Sequence, residues 1–105
     1  MAYKLIAAPE YNQRLDDRVG YLAEVKANPQ AAAHLLGEVE SVYDRLEEDL
    51  QQFPYCDDLF LSHRGYRKAV VGNMDYVILY IVDEASRIVY LEGFFHQLEN
   101  YAAKM

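Results

Sequence analysis

The spacing of apolar residues changes twice along this chain, and each change marks a change of element. Tyr3, Leu5, Ile6 and Ala7 form a compact apolar segment that stops short of Pro9, which predicts an opening strand over 3–7. From Pro9 the period becomes three to four residues: Tyr11, Leu15, Val19, Leu22 and Val25 make one stripe, so a helix is expected to about residue 27. Pro9 suits a first helical turn, where its missing N–H costs nothing, and Glu10 favours the positive end of the helix dipole. Asn28-Pro29 breaks this helix, because the residue before a proline avoids the helical region. A second stripe follows in Ala32, Leu35, Leu36, Val39, Tyr43, Leu46, Leu50 and Phe53, with Glu38, Glu40, Asp44, Glu47, Glu48 and Asp49 on the opposite face. It predicts a helix over about 29–52, weakened at Gly37 by up to ~1 kcal/mol relative to alanine. The short break between the helices points to an antiparallel hairpin lying on a sheet rather than a coiled coil.

After a loop at 53–65, rich in Pro54, Asp57, Asp58 and Gly65, the period shortens to two. Residues 66–72 read as a strand, Asn73, Met74 and Asp75 as a turn, and 76–82 as a second strand. That second strand is apolar on both faces, as a central strand covered on each side would be. Residues 83–86 form the next turn, 87–95 the third strand of the meander, and 97–104 a short terminal helix or tail. Within the loop, Leu59, Phe60 and Leu61 are expected to be a short strand or a plug against the core. The expected architecture is one α+β domain over 1–105, ordered β-α-α-β-β-β, with the hairpin packed on a mostly antiparallel four-stranded sheet.

Charge narrows the function classes. The formal net charge is −7, and residues 1–58 carry all of it, with 12 acids against 5 bases. A chain so acidic is not a general nucleic-acid binder, since neutralising phosphates needs clustered Lys and Arg. Any RNA contact falls to a local patch, and Arg64, Arg67 and Lys68 are the candidate. No run of about 18 apolar residues is present, and the N-terminus has no basic-then-apolar signal pattern, so neither a membrane span nor a secretion signal is expected. The single cysteine, Cys56, fits a reducing cytoplasm; its turn-like setting, 53–58, predicts a partly exposed thiol.

Candidate chemistry is sparse. His34 and His63 have no partners at metal-ligand spacing, there is no glycine-rich phosphate loop, and no serine has a nucleophile-elbow setting, so neither metal nor cofactor is expected. His96 differs: it ends the last strand five residues before Tyr101, where an imidazole can act as general acid or base. A tyrosine hydroxyl can shuttle a proton when a nearby cation lowers its pKa. The ten tyrosines otherwise read as core and rim packing on a pleated surface.

Two phrases carry a family likeness: Gly65-Tyr66-Arg67-Lys68, opening the meander, and Tyr76-Val77-Ile78-Leu79-Tyr80-Ile81-Val82-Asp83-Glu84, its central strand, with the closing His96 to Tyr101 segment behind them. Over about residues 3–101 the chain resembles the RelE/ParE toxins of type II toxin–antitoxin pairs. The resemblance implies a cytoplasmic growth inhibitor held in check by a cognate antitoxin, with Leu59 to Leu61 and the exposed hairpin face contributing to that contact. Members of the RelE branch are metal-independent endoribonucleases (mRNA interferases) that cut messenger RNA on the ribosome, and this activity is the leading expectation that the resemblance implies, with gyrase inhibition as the alternative. Carried over, Arg67 or Lys68 takes the first basic position, Tyr101 the closing tyrosine, and His96 a place held elsewhere by histidine or arginine. Arg67 and Tyr101 are then expected to share a cationic concavity. At two places where the likeness implies a cation, this chain has Val77 and Gln97. Members of the ParE branch instead poison DNA gyrase by protein contact and need no catalytic set. A third reading is a non-catalytic interaction module on the same fold.

Overall fold

A computed structural model describes residues 3–72 and 75–105; Met1, Ala2 and the predicted turn residues Asn73 and Met74 lie outside the described residues. The elements are β1 (Lys4–Ala7), α1 (Pro9–Gly20), α2 (Pro29–Glu48), α3 (Leu59–His63), β2 (Arg67–Val70), β3 (Tyr76–Asp83) and β4 (Ile88–His96). A π-helical turn, Tyr21–Val25, extends α1, and a 3₁₀ turn, Tyr101–Lys104, closes the chain. Both prolines start their helices as expected, and the Asn28 side chain caps α2 by accepting from the Ala31 N–H at 3.0 Å. The second helix ends four residues early because Asp49 turns extended. Among the described residues no helix is long and apolar enough to cross a membrane.

The four strands form one sheet in the order β1-β4-β3-β2. β1 runs parallel to β4, and the other pairs are antiparallel. The hairpin covers one side. There Leu35, Val39, Val42 and Leu46 of α2 and Tyr11 and Leu15 of α1 pack with Ile78 and Tyr80 of β3 and Val89, Leu91 and Phe94 of β4. Tyr11 and Tyr43 tie the two helices together by a hydrogen bond between their hydroxyls. Burial, and after it the neighbouring Tyr43, pushes the Tyr11 phenol far above its ordinary pKa, so the pair stays neutral.

The opposite side holds a second, smaller core of Cys56, Leu61, Val77, Leu79 and Phe95, with Tyr66, Tyr101 and Ala102 packed against it. Its cover is the 53–66 segment and the chain terminus. This explains why β3 is apolar on both faces. Leu59 to Leu61 are not a strand: Asp58 Oδ1 accepts from the Leu61 N–H at 3.0 Å and starts a single helical turn, α3. Leu61 alone is the plug, fully buried, while Leu59 and Phe60 stay 75% and 59% exposed. Cys56 is likewise buried, at 4% exposure, not partly exposed. Burial pushes its thiol up to about 11, with Lys68 pulling down and Asp57 and Asp58 pushing up, so this thiol is inert near neutrality.

One irregularity decides which face β4's last residues take. The register skips from Leu79↔Gly93 to Tyr80↔Leu91, so Glu92 is an extra, bulged residue. Strict alternation from Val89 and Leu91 would put Phe95 among the helices. The bulge reverses the parity: Phe94 joins the hairpin-side core, and Phe95 joins the second one.

Candidate functional site

β2 carries the basic pair, and its pleat separates it. Successive strand side chains point to opposite faces. Arg67 pairs with Tyr80, a hairpin-side residue, and Lys68 with Leu79, a residue of the second core. Arg67 donates from Nη1 to the Phe53 carbonyl at 2.7 Å and lays its guanidinium over the Tyr55 ring, 4.0 Å from the centroid. Tyr80, beside it, donates its hydroxyl to the Leu50 carbonyl at 2.8 Å; burial pushes that phenol up to about 12 although Arg67 pulls the other way. Arg64, in the turn after α3, is exposed and lies 4.6 Å over the Phe60 ring.

On the other face Lys68 and Tyr101 are neighbours. Lys68 Nζ donates to Asp57 Oδ2 at 3.4 Å. Burial works against its charge, but the Tyr101 phenol and the Asp57 carboxylate outweigh it, and the ammonium stays protonated above its ordinary range. Tyr101 stacks on Phe95 with centroids 5.7 Å apart and planes 28° from parallel. The expected concavity shared by Arg67 and Tyr101 does not form, because the sheet stands between them.

His96 joins neither group. It pairs with Tyr76 and meets that ring edge-on at 5.7 Å. Its Nδ1 accepts from the Leu98 N–H at 3.1 Å, which leaves Nε2 as its available nitrogen, and its own N–H donates to Glu99 Oε1 at 2.9 Å. It lines a groove of about 620 Å³ between α1 and the ends of β3 and β4. Arg14 and Arg18 form the helical wall of this groove. Arg14 lies 4.3 Å over Phe95 and 3.6 Å from Glu99, and Arg18 lies within 5.6 Å of the Tyr76 ring. No motif marks these arginines in the sequence. Their signal was spacing, since bases four apart on a helix share a face.

The candidate residues therefore fall into three separate settings: Arg64 with Arg67, Lys68 with Tyr101, and His96 with the α1 arginines. Val77, at a position where a cation was implied, is 1% exposed inside the second core, and a charge there would be buried without a partner. Gln97 is exposed, and its N–H donates to the Asp75 carbonyl at 2.8 Å. Among the described residues no three His, Cys, Asp or Glu side chains gather into a metal-binding group.

A helical hairpin on a short mixed four-stranded sheet places the chain in the class of small α+β proteins. The model of the ParE toxin of type II toxin–antitoxin systems, parDE, matches residues 5–101, so the chain belongs to that family. A chain of the chromosomal ParDE TA system from P. aeruginosa superposes with a TM-score of 0.68 at 11% identity, covering 90% of this chain and 95% of that one. A chain of the toxin–antitoxin complex RelBE2 from Mycobacterium tuberculosis superposes with a TM-score of 0.61 at 18% identity, covering 91% and 99%. At such identities both likenesses speak for the fold alone. No curated protein sequence matches the chain.

Proposed function

We propose that this ParE-family protein arrests growth by gripping a target protein, DNA gyrase, through surface contact, and that a cognate antitoxin neutralises it in the cytoplasm. The observation that carries this reading is the split of Arg67 and Lys68 across the sheet. Cleavage of RNA by its own 2′-hydroxyl needs a base, an acid and cations around one phosphate. Here the two strand cations leave β2 toward opposite faces, His96 lines a separate groove, and Val77 is sealed in the core, which disfavours one convergent site. A contact mechanism needs none of these to converge. Net charge supports the same reading, since −7 disfavours binding along a nucleic acid.

One observation favours a second reading, ribosome-dependent mRNA cleavage. Lys68 and Tyr101 do share a face, so a minimal cation and proton donor exist there. Induction in cells separates the two. Gyrase contact predicts growth arrest with relaxed plasmid DNA, loss of supercoiling by purified gyrase, and intact reporter transcripts by primer extension. Cut transcripts with unchanged supercoiling would establish the nuclease instead, and normal growth on strong induction of folded protein would rule out both.

A further inference from the structure

The strongest unassigned surface lies around α3. Tyr55, Leu59 and Phe60 are 52%, 75% and 59% exposed, three large apolar side chains within six residues. Soluble domains rarely leave such a cluster open without a partner for it. Two guanidinium groups stand among them. Arg64 lies over the Phe60 ring and Arg67 over the Tyr55 ring, at 4.6 and 4.0 Å, and both arginines line one cleft of about 260 Å³.

Neither arginine has a carboxylate within ion-pair distance among the described residues, although the chain holds 17 acids against 10 bases. Arg14, Lys68 and Lys104 each have one. A guanidinium without an ion-pair partner matches a carboxylate in geometry, and Arg67 keeps donors beyond the one held by the Phe53 carbonyl. The side chains are also pre-ordered. Leu61 is fully buried and anchors the turn, Asp58 caps it, and the Phe53 carbonyl holds Arg67. Ordering lost before binding is ordering that binding does not have to supply. Tyr, Phe and Arg around exposed apolar surface is the composition of interface centres.

We infer that the Tyr55–Phe60–Arg64 face is the surface by which the toxin grips its target, and that it takes a segment of a partner protein in which a large apolar residue stands beside a single carboxylate. The inference rests on the contact mechanism proposed above and adds where the contact is made. The apolar residue covers Leu59 and Phe60, and the carboxylate bridges Arg64 and Arg67. RNA is disfavoured as occupant because a run of phosphates would also meet Asp57 and Asp58 beside α3 and Glu84 in the cleft wall, whereas the protein segment brings a single carboxylate to the two guanidiniums.

The test immobilises the full-length protein and measures binding of purified DNA gyrase, beside supercoiling inhibition and binding of a single-stranded RNA oligonucleotide. Arg64→Glu and Phe60→Ser change exposed positions, and unchanged melting profiles would verify folding. Each is expected to weaken gyrase binding at least about tenfold, the effect of losing an interface anchor. Leu98→Ser, at an 89% exposed position outside the patch, is expected to bind as wild type. If wild type grips gyrase and both patch variants grip it equally, this face is not the contact and the inference falls alone. If the variants lose RNA binding but keep gyrase binding, the occupant is a nucleic acid and the inference is likewise overturned. If wild type neither binds nor inhibits gyrase, the contact mechanism itself has failed, and the inference fails with it.

Discussion

The two faces of the sheet are buried by different means. On the hairpin side, two amphipathic helices lay their apolar stripes on the strands, and fourteen buried residues among those described form one core. On the other side, five buried residues are covered by a loop, one turn of helix and the chain terminus. The first arrangement is periodic and the second is not. Periodic cover spreads its energy over many side chains, whereas irregular cover concentrates it on a few, chiefly Leu61 and Phe95. The same division separates residues adjacent in sequence: Arg67 and Lys68 point to different faces.

The sharpest way to break this comparison is to empty each core by one leucine. Leu35→Ala and Leu61→Ala, both at fully buried positions, are each expected to cost about 2–5 kcal/mol in denaturant unfolding. Equal losses would show that the small core is as integral as the large one. A loss well under ~1 kcal/mol for Leu61→Ala would mean that the 53–66 cover is loosely held.

A smaller effect is expected from overfilling. A methyl group at Gly93 would lie 2.4 Å from the Phe95 ring and 3.1 Å from the Met105 sulfur, so the second-face cover must shift. Gly93→Ala is expected to destabilise by about 1–3 kcal/mol and to loosen the terminus, detectable as faster amide exchange there. On the hairpin side Tyr11→Phe removes one partner of the Tyr11–Tyr43 hydrogen bond and is expected to cost about 1 kcal/mol in the same unfolding assay.

The smallest effect concerns the tail. Glu99 accepts from Lys104 Nζ at 2.6 Å and from the His96 N–H, which hold its carboxyl below the ordinary 4.5. A carboxyl with a lowered folded pKa adds stability that is present above the unfolded value and lost as pH falls through the folded one. Wild type is therefore expected to melt slightly above Glu99→Gln at pH 7, with the gap closing as pH falls well below 4.5. A gap that persisted at low pH would mean that the ionised carboxylate is not what matters.

What could be read in the sequence follows the same division. The Tyr11 to Val25 and Ala32 to Phe53 stripes announced the hairpin because a helix surface repeats. The apolar β3 announced that its second face is covered. What covers it could not be read: Leu59, Phe60 and Leu61 are alike in hydrophobicity, and only the Asp58 cap and the packing of the sheet decide that Leu61 turns inward. Glu92 gives no local sign of a bulge, yet it sets which face receives Phe95. The candidate site was legible as residue types and not as geometry. Arg67 and Lys68 form one basic patch along the sequence, although the period of two that identifies their strand already places them on opposite faces.

The proposal that the protein acts by surface contact, without chemistry at Lys68 and Tyr101, is tested most directly by the double variant Lys68→Ala/Tyr101→Phe, assayed for inhibition of purified gyrase and for growth arrest on induction. Phenylalanine keeps the ring against Phe95, and Asp57, the partner that Lys68 loses, is largely in solvent. Undiminished inhibition and arrest are the predicted result. Arrest abolished in a folded double variant, with transcripts cut by wild type and left whole by the variant, would contradict the account.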